Sequence, residues 1–198
     1  MFRRRWTVLL PLILLVAAPT GAIPARAAPA VQPQTSSPPG TALPGDAFGQ
    51  EVAMSEKTII YFSGSGMWDS AFETILDGFK TVYGFLDKQG IKPAGAAMTI
   101  YTATDDSGFQ FQAAVPIEAA PANPPQGDIA VGKSPTGKAY KFIHRGSYDA
   151  MDTTYEAITN FLDEKSIDAK ELFIEEYVTD PLKTAEDKLV IEVYVPVK

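Results

Sequence analysis

The sequence predicts an α+β fold: a duplicated β-α-β-β unit whose antiparallel sheets carry two helices on one face and a central groove on the other. Three observations predict it. Phe85-Leu-Asp-Lys-Gln-Gly-Ile91 and Phe161-Leu-Asp-Glu-Lys-Ser-Ile167 superpose at an offset of 76 residues. Further landmarks keep the same order in both copies: Tyr101 with Tyr177, Val115-Pro-Ile117 with Val195-Pro-Val197, and Gly66-Met-Trp68 with Gly146-Ser-Tyr148 if the first copy has four extra helical residues. The hydrophobic period also switches between helical and alternating at matching places.

In the first copy, Thr58–Phe62 reads as a strand. Trp68, Phe72, Ile75, Leu76, Phe79, Val82, Tyr83 and Leu86 then form one apolar stripe, a helix over about 68–88. Gly90 stops it. Thr99–Tyr101 and the alternating run Phe109–Val115 are strands joined by a turn at Asp105-Asp-Ser-Gly108, and Pro116 ends the second. The second copy repeats the order. Ala139–Ile143 is a strand, and Tyr148, Met151, Tyr155, Ile158, Phe161 and Leu162 make the helical stripe. Phe173–Tyr177 and Leu189–Val195 are the last strands, with Thr184-Ala-Glu-Asp187 as their turn and Pro196 as the stop. Gly146 lets the backbone turn from strand into helix. Asp69 and Asp149 sit in first turns, where the helix dipole favours an anion. The units run over about 51–117 and 128–198, within one domain of residues 51–198.

Composition excludes several chemistries. The chain has 198 residues, no Cys and one His, His144. Disulfide frameworks, thiolate metal sites, cysteine nucleophiles and HExxH zinc sites are therefore out. The chain carries 17 basic and 24 acidic residues, and four of the basic ones (Arg3, Arg4, Arg5, Arg26) precede residue 28. From residue 28 onward 13 basic face 24 acidic residues, a net −11 that repels phosphate backbones, so no nucleic-acid partner is expected.

Residues 1–27 read as a secretory signal peptide. Arg3–Arg5 is the cationic start, Trp6–Ala18 an apolar run of 13 residues, and Ala25-Arg-Ala27 a cleavage site. The run is shorter than the roughly 20 residues a membrane helix needs, so no span is expected after cleavage; an uncleaved anchor is the alternative. The expected location is secreted or periplasmic. Residues 28–50, rich in Pro, Ser, Gly and Ala, read as a disordered linker that buries too little to offset its ordering entropy.

The most informative strand for chemistry is Phe173-Ile-Glu-Glu-Tyr-Val178. Alternation puts Phe173, Glu175 and Tyr177 on one face and Ile174, Glu176 and Val178 on the other. Packing Ile174 and Val178 under a helix leaves Glu175 on the open face between two aromatic rings. A carboxylate there without an obvious Arg partner has a raised pKa or recruits a cation. A register slip of one would put Glu176 there instead. An ordinary solvated strand Glu remains the plain alternative. His144 reads as a structural hydrogen-bonder before a general base or haem ligand. Ser63-Gly-Ser-Gly66 lacks the Lys-Ser/Thr of a phosphate loop and reads as a turn. Asp152, Asp163, Glu164 and Asp168 read as a solvated acidic face, without calcium-loop spacing. No metal or cofactor is expected.

Three segments together resemble the GyrI-like small-molecule-binding domain, which is also the effector-binding domain of AraC-type and MerR-type regulators. His144-Arg-Gly-Ser-Tyr148 with Tyr155 and Phe161-Leu162 resembles its H-x-G-x-Y motif, Glu175-Glu-Tyr-Val-Thr-Asp-Pro181 its E-x-Y-x-x-D-P motif, and Leu189–Pro196 its terminal strand. The likeness covers about 52–198 and is sharper in the second half. It implies a duplicated β-α-β-β fold with the Glu of E-x-Y, here Glu175, in a central pocket. A signal peptide and linker stand where regulators of this family carry a DNA-binding region, so a transcription factor is not expected. Some stand-alone members hydrolyse strained toxins with the pocket Glu, and related SOUL proteins bind haem.

The sequence thus predicts an exported domain binding a small amphipathic or cationic molecule in an aromatic pocket with one carboxylate. Candidate ligand-binding residues are Glu175, Tyr177, Phe173, Tyr101, Trp68, Tyr148 and Phe111. The alternative is a hydrolase of a reactive small molecule with Glu175 as general acid or base; binding is preferred because no second catalytic group is identifiable. A ligand-free protein-interaction domain is the third reading. Ligand identity and oligomeric state are not legible.

Overall fold

The alternating runs become eight strands and the two stripes become two helices, in a computed structural model that describes residues 48–198. The expected signal peptide and nearly all of the expected linker lie outside the described residues. In chain order the elements are β1 Gln50–Met54, β2 Thr58–Met67, α1 Ala71–Gln89, β3 Met98–Thr104, β4 Gly108–Pro116, β5 Ile129–Lys133, β6 Gly137–Arg145, α2 Met151–Glu164, β7 Phe173–Tyr177 and β8 Val190–Pro196. Short 3-10 turns, Trp68–Ser70 and Tyr148–Ala150, lead into the helices. Gly90 ends α1 in the left-handed region at φ 64°, with its N–H donated to the Asp87 and Leu86 carbonyls.

All strands form one antiparallel sheet in the order β1-β6-β8-β7-β3-β4-β2-β5. The order reads the same from both ends once each strand is exchanged for its counterpart in the other copy. A pseudo-twofold axis therefore crosses the β3–β7 seam. The register Met98↔Glu176, Thr99↔Glu175, Ile100↔Ile174 places it at the Thr99–Glu175 pair.

Two features differ from the sequence expectation. Each unit has an additional leading strand, and these are exchanged: β1 of the first copy pairs with β6 of the second, while β5 of the second pairs with β2 of the first. Both are five-residue edge strands whose partners lie far away in sequence, so no local pattern reveals them. The expected hairpin turn at Thr184–Asp187 is instead a connection from Val178 to Leu189, with only Glu186–Lys188 in a 3-10 turn. Phe48, within the expected linker, packs its ring 4.9 Å from that of Phe142 and 5.9 Å from that of Phe161.

The main core lies between the sheet and the helices. Ile75, Phe79, Val82 and Leu86 from α1 and Met151, Ile158 and Leu162 from α2 meet Tyr101, Phe111, Phe142, Tyr177 and Val193 from the strands. Gly78 allows α1 its close approach: a Cβ there would lie 2.8 Å from the Ala113 Cβ. The opposite face carries a smaller apolar cluster of Ile59, Met98, Ile100, Ala114 and Ile174, with Tyr61 and Tyr194 against it.

Candidate functional site

At the centre of the sheet Glu175 is fully buried on β7. Among the described residues every hydrogen bond to its oxygens comes from a tyrosine. Tyr155 donates to Oε1 at 2.8 Å, Tyr101 to Oε1 at 3.1 Å, and Tyr177 to Oε2 at 3.0 Å. Tyr148 lies 3.2 Å from Oε2, and its hydroxyl is also 2.8 Å from that of Tyr101, so one of these two donates to the other. Tyr148 and Tyr155 stand seven residues apart, on one face of the second helical segment. Tyr101 and Tyr177 are counterparts in the two copies. The four rings thus converge from three different elements.

Burial pushes the Glu175 carboxyl up from its ordinary range, and the tyrosine hydroxyls pull against that. The same burial, with the carboxylate's charge next in importance, holds the hydroxyls of Tyr101, Tyr148, Tyr155 and Tyr177 well above the usual phenol value, so they are protonated donors. Thr99, opposite Glu175 in the register, has a buried Oγ1 without a hydrogen-bond partner.

Above this cluster a cavity of about 780 Å³ opens between the N-terminal ends of the helical segments. Its aromatic wall is Trp68, Phe72, Tyr101, Tyr148, Tyr155 and Phe173. Phe72 stacks on Tyr148 with centroids 4.7 Å apart and planes 14° apart, bringing the copies together across the cleft. Trp68 donates its indole N–H to the Asp105 carbonyl at 2.8 Å and tilts over Phe109. Glu175 lies one layer beneath the wall, reached through the tyrosines that bind it.

The structure corrects the side of the sheet on which this site lies. Glu175 does not face the open side; it lies under the helices with Phe173 and Tyr177. Ile174 points away into the smaller cluster, and Val178 is past the end of β7 and 55% exposed, so neither marks a helix-covered face. The open face has only a smaller hollow of about 290 Å³, where Lys57 and Glu176 form a salt bridge at 2.9 Å. The residue in the central site is therefore Glu175, and Glu176 belongs to the other side. Of the other candidates, Trp68, Tyr101, Tyr148 and Phe173 line the cavity and Tyr177 binds Glu175 beneath it. Phe111 does not belong to it: it is 1% exposed and packed on Phe109 in the core. Sequence reading missed Phe72 and Tyr155 in the wall, because both sit in apolar helical stripes, and for Tyr155 the stripe hides a buried hydroxyl in need of a partner.

His144 is 2% exposed and committed on both ring nitrogens. Nε2 donates to the Ser147 carbonyl at 3.0 Å, so Nδ1 accepts from the Thr154 hydroxyl at 2.7 Å. It fixes the turn that presents Tyr148. Among the described residues no cluster of three His, Asp or Glu side chains is placed to hold a metal ion.

The family profile for the GyrI-like small molecule binding domain matches residues 50–198. The chain belongs to the GyrI-like family. No curated protein sequence matches it. Among solved structures, the EcmrR C-terminal domain superposes with a TM-score of 0.61 at 16% identity, covering 76% of this chain and 96% of that domain. The EcmrR chain in its DNA complex gives 0.65 at 15% identity, and this GyrI-like chain spans 57% of its length. SAV2435 bound to tetraphenylphosphonium gives 0.54 at 16% identity, covering 77% of this chain and 94% of that one. A hydrolase encoded by lin2189 from Listeria innocua gives 0.54 at 12% identity, with 76% and 92% covered. At these identities the likeness is one of fold.

Proposed function

We propose that this GyrI-like domain binds amphipathic or lipophilic cations in the cavity between its helices, with Glu175 as the counter-charge. The observation that carries the reading is a fully buried carboxylate whose only hydrogen bonds among the described residues come from tyrosines, three of them in the wall of an aromatic cavity. A phenol that donates to a carboxylate carries more electron density in its ring, which strengthens attraction of a cation to its face. The Glu175 charge is thereby presented to the cavity through Tyr155 and through the hydrogen-bonded pair Tyr101–Tyr148. SAV2435, which shares the fold, is bound to tetraphenylphosphonium, a ligand of the chemistry proposed here.

Calorimetric titration with tetraphenylphosphonium tests the reading. Wild type binds, and Glu175→Gln loses about 2–4 kcal/mol of affinity, a loss of roughly thirtyfold or more. Equal affinity in both proteins rejects Glu175 as the counter-charge.

A second reading is hydrolysis, favoured by the raised Glu175 carboxyl within reach of four protonated phenols, a group suited to general acid–base work. Recovery of every bound test compound unchanged after long incubation rejects it. Export to the periplasm or medium belongs to the same proposal, on the cationic start and apolar run of residues 1–18 and the Ala25-Arg-Ala27 site. A mature protein beginning at Ala28 in the exported fraction is the expected result; an intact start in the cytoplasm rejects it. The acidic surface argues against nucleic acid as a partner.

A further inference from the structure

The aromatic wall accounts for one positive charge, but the mouth of the cavity is built for more. Asp69, Glu73, Asp149, Asp152 and Glu186 all line it, and no Lys or Arg does among the described residues. Some exposed carboxylates elsewhere are matched by lysines, as Asp77 is with Lys80, Asp180 with Lys183, Asp168 with Lys198 and Glu56 with Lys133. Among the described residues no lysine pairs with any of the five, and Glu186 accepts from the Ser147 hydroxyl at 2.7 Å.

Two opposing effects need weighing. The N-terminal ends of both helical segments meet here, and each helix dipole amounts to roughly half a positive charge. Together they offset about one of the five negative charges, so the mouth stays strongly anionic. A divalent metal ion is not the match, since no three of these groups converge on one point. The carboxylates are spread around an opening, one of each pair Asp69 and Asp149 coming from each copy. Spread charges around an apolar hollow suit an organic molecule whose own charges are separated.

Building on the cation reading above, we propose that the ligand carries at least two positive charges: an aromatic cationic head inside the cavity and a second, ammonium-type charge on an arm that reaches Asp69, Asp149 and Asp152. The mouth thus selects polycations over monocations of equal aromatic surface, and Glu175 and the mouth contribute separately.

Ethidium and propidium test this, because they share one phenanthridinium ring and propidium adds a quaternary ammonium on a propyl arm. At low salt wild type is expected to bind propidium about tenfold more tightly, the size expected for two or three solvent-exposed charges acting together. Asp69→Asn/Asp149→Asn/Asp152→Asn brings the two dyes to within about twofold and moves ethidium little. High salt does the same to wild type without any substitution, because charges at the mouth are screened and the buried one is not. Glu175→Gln weakens both dyes and leaves their ratio. Equal binding of the two dyes by wild type, or a ratio that survives the triple substitution, overturns the proposal while the cation reading stands. Binding of neither dye removes both.

Discussion

Replacing Glu175 by Gln is expected to stabilise the protein at neutral pH while weakening its affinity for cations. Burial raises the Glu175 carboxyl above its ordinary 4.5, so the folded protein holds this proton more tightly than the unfolded chain does. The contribution of Glu175 to stability is therefore complete below about pH 4.5 and is lost as pH rises through the folded-state value. Above the ordinary carboxylate range the raised group is a net cost that Gln does not carry. The shape is conserved, the amide oxygen still accepts from Tyr155 and Tyr101, and an amide N–H can donate to the Tyr177 hydroxyl oxygen. The expected gain is about 1–2 kcal/mol, or about 2–8 °C in Tm for a domain of this size. Scanning calorimetry of both proteins from pH 4 to 8 measures it. The Tm difference should be largest at pH 7.5 and shrink toward zero at pH 4. A variant destabilised equally at both ends refutes the argument, because the carboxylate would then be acting by shape and hydrogen bonding alone.

Other outcomes follow from the same geometry. Tyr155→Phe removes the shortest hydrogen bond to Glu175; it should cost about 1–3 kcal/mol by urea unfolding at pH 7.5 and move the onset of cation binding to higher pH. The His144 imidazole is held below its usual 6.5 by burial, so its contribution is present above that pH and lost as pH falls toward the folded-state value. His144→Gln should flatten that dependence between pH 5 and 7 and cost about 1–3 kcal/mol at pH 7.5 by leaving Thr154 or the Ser147 carbonyl unpaired. Gly78→Ala gains helix propensity but drives a methyl against Ala113; a net loss of about 1–3 kcal/mol is expected in the urea midpoint, and a gain would show that α1 can shift without strain.

Duplication was legible because the Phe85 and Phe161 heptads end helices in equivalent places, and the turn glycines Gly90 and Gly146 carry the positive φ their positions suggested. The side occupied by Glu175 was not. Its strand is buried on both faces, Phe173 and Tyr177 toward the main core and Ile174 toward the smaller cluster, so alternation separates the faces without saying which lies under the helices. Val178, apolar yet exposed, tipped the reading the wrong way. Phe111 failed for a related reason: an inward-facing strand aromatic looks the same whether it lines a cavity or fills the core. Tyr155 carried a usable signal, since two tyrosines seven residues apart on one helical face bring two hydroxyls to the same buried place.

The axis through Thr99 and Glu175 also bears on why the two units share one polypeptide. A true homodimer of single units would place identical residues on both sides of that axis: either two hydroxyls with no anion between them, or two acids side by side that could not both stay ionised. Joining the units covalently frees one side to become threonine while the other remains an acid. A lone negative centre can then sit on what is otherwise a symmetric floor, and either half can be altered by evolution without forcing the same change on its twin.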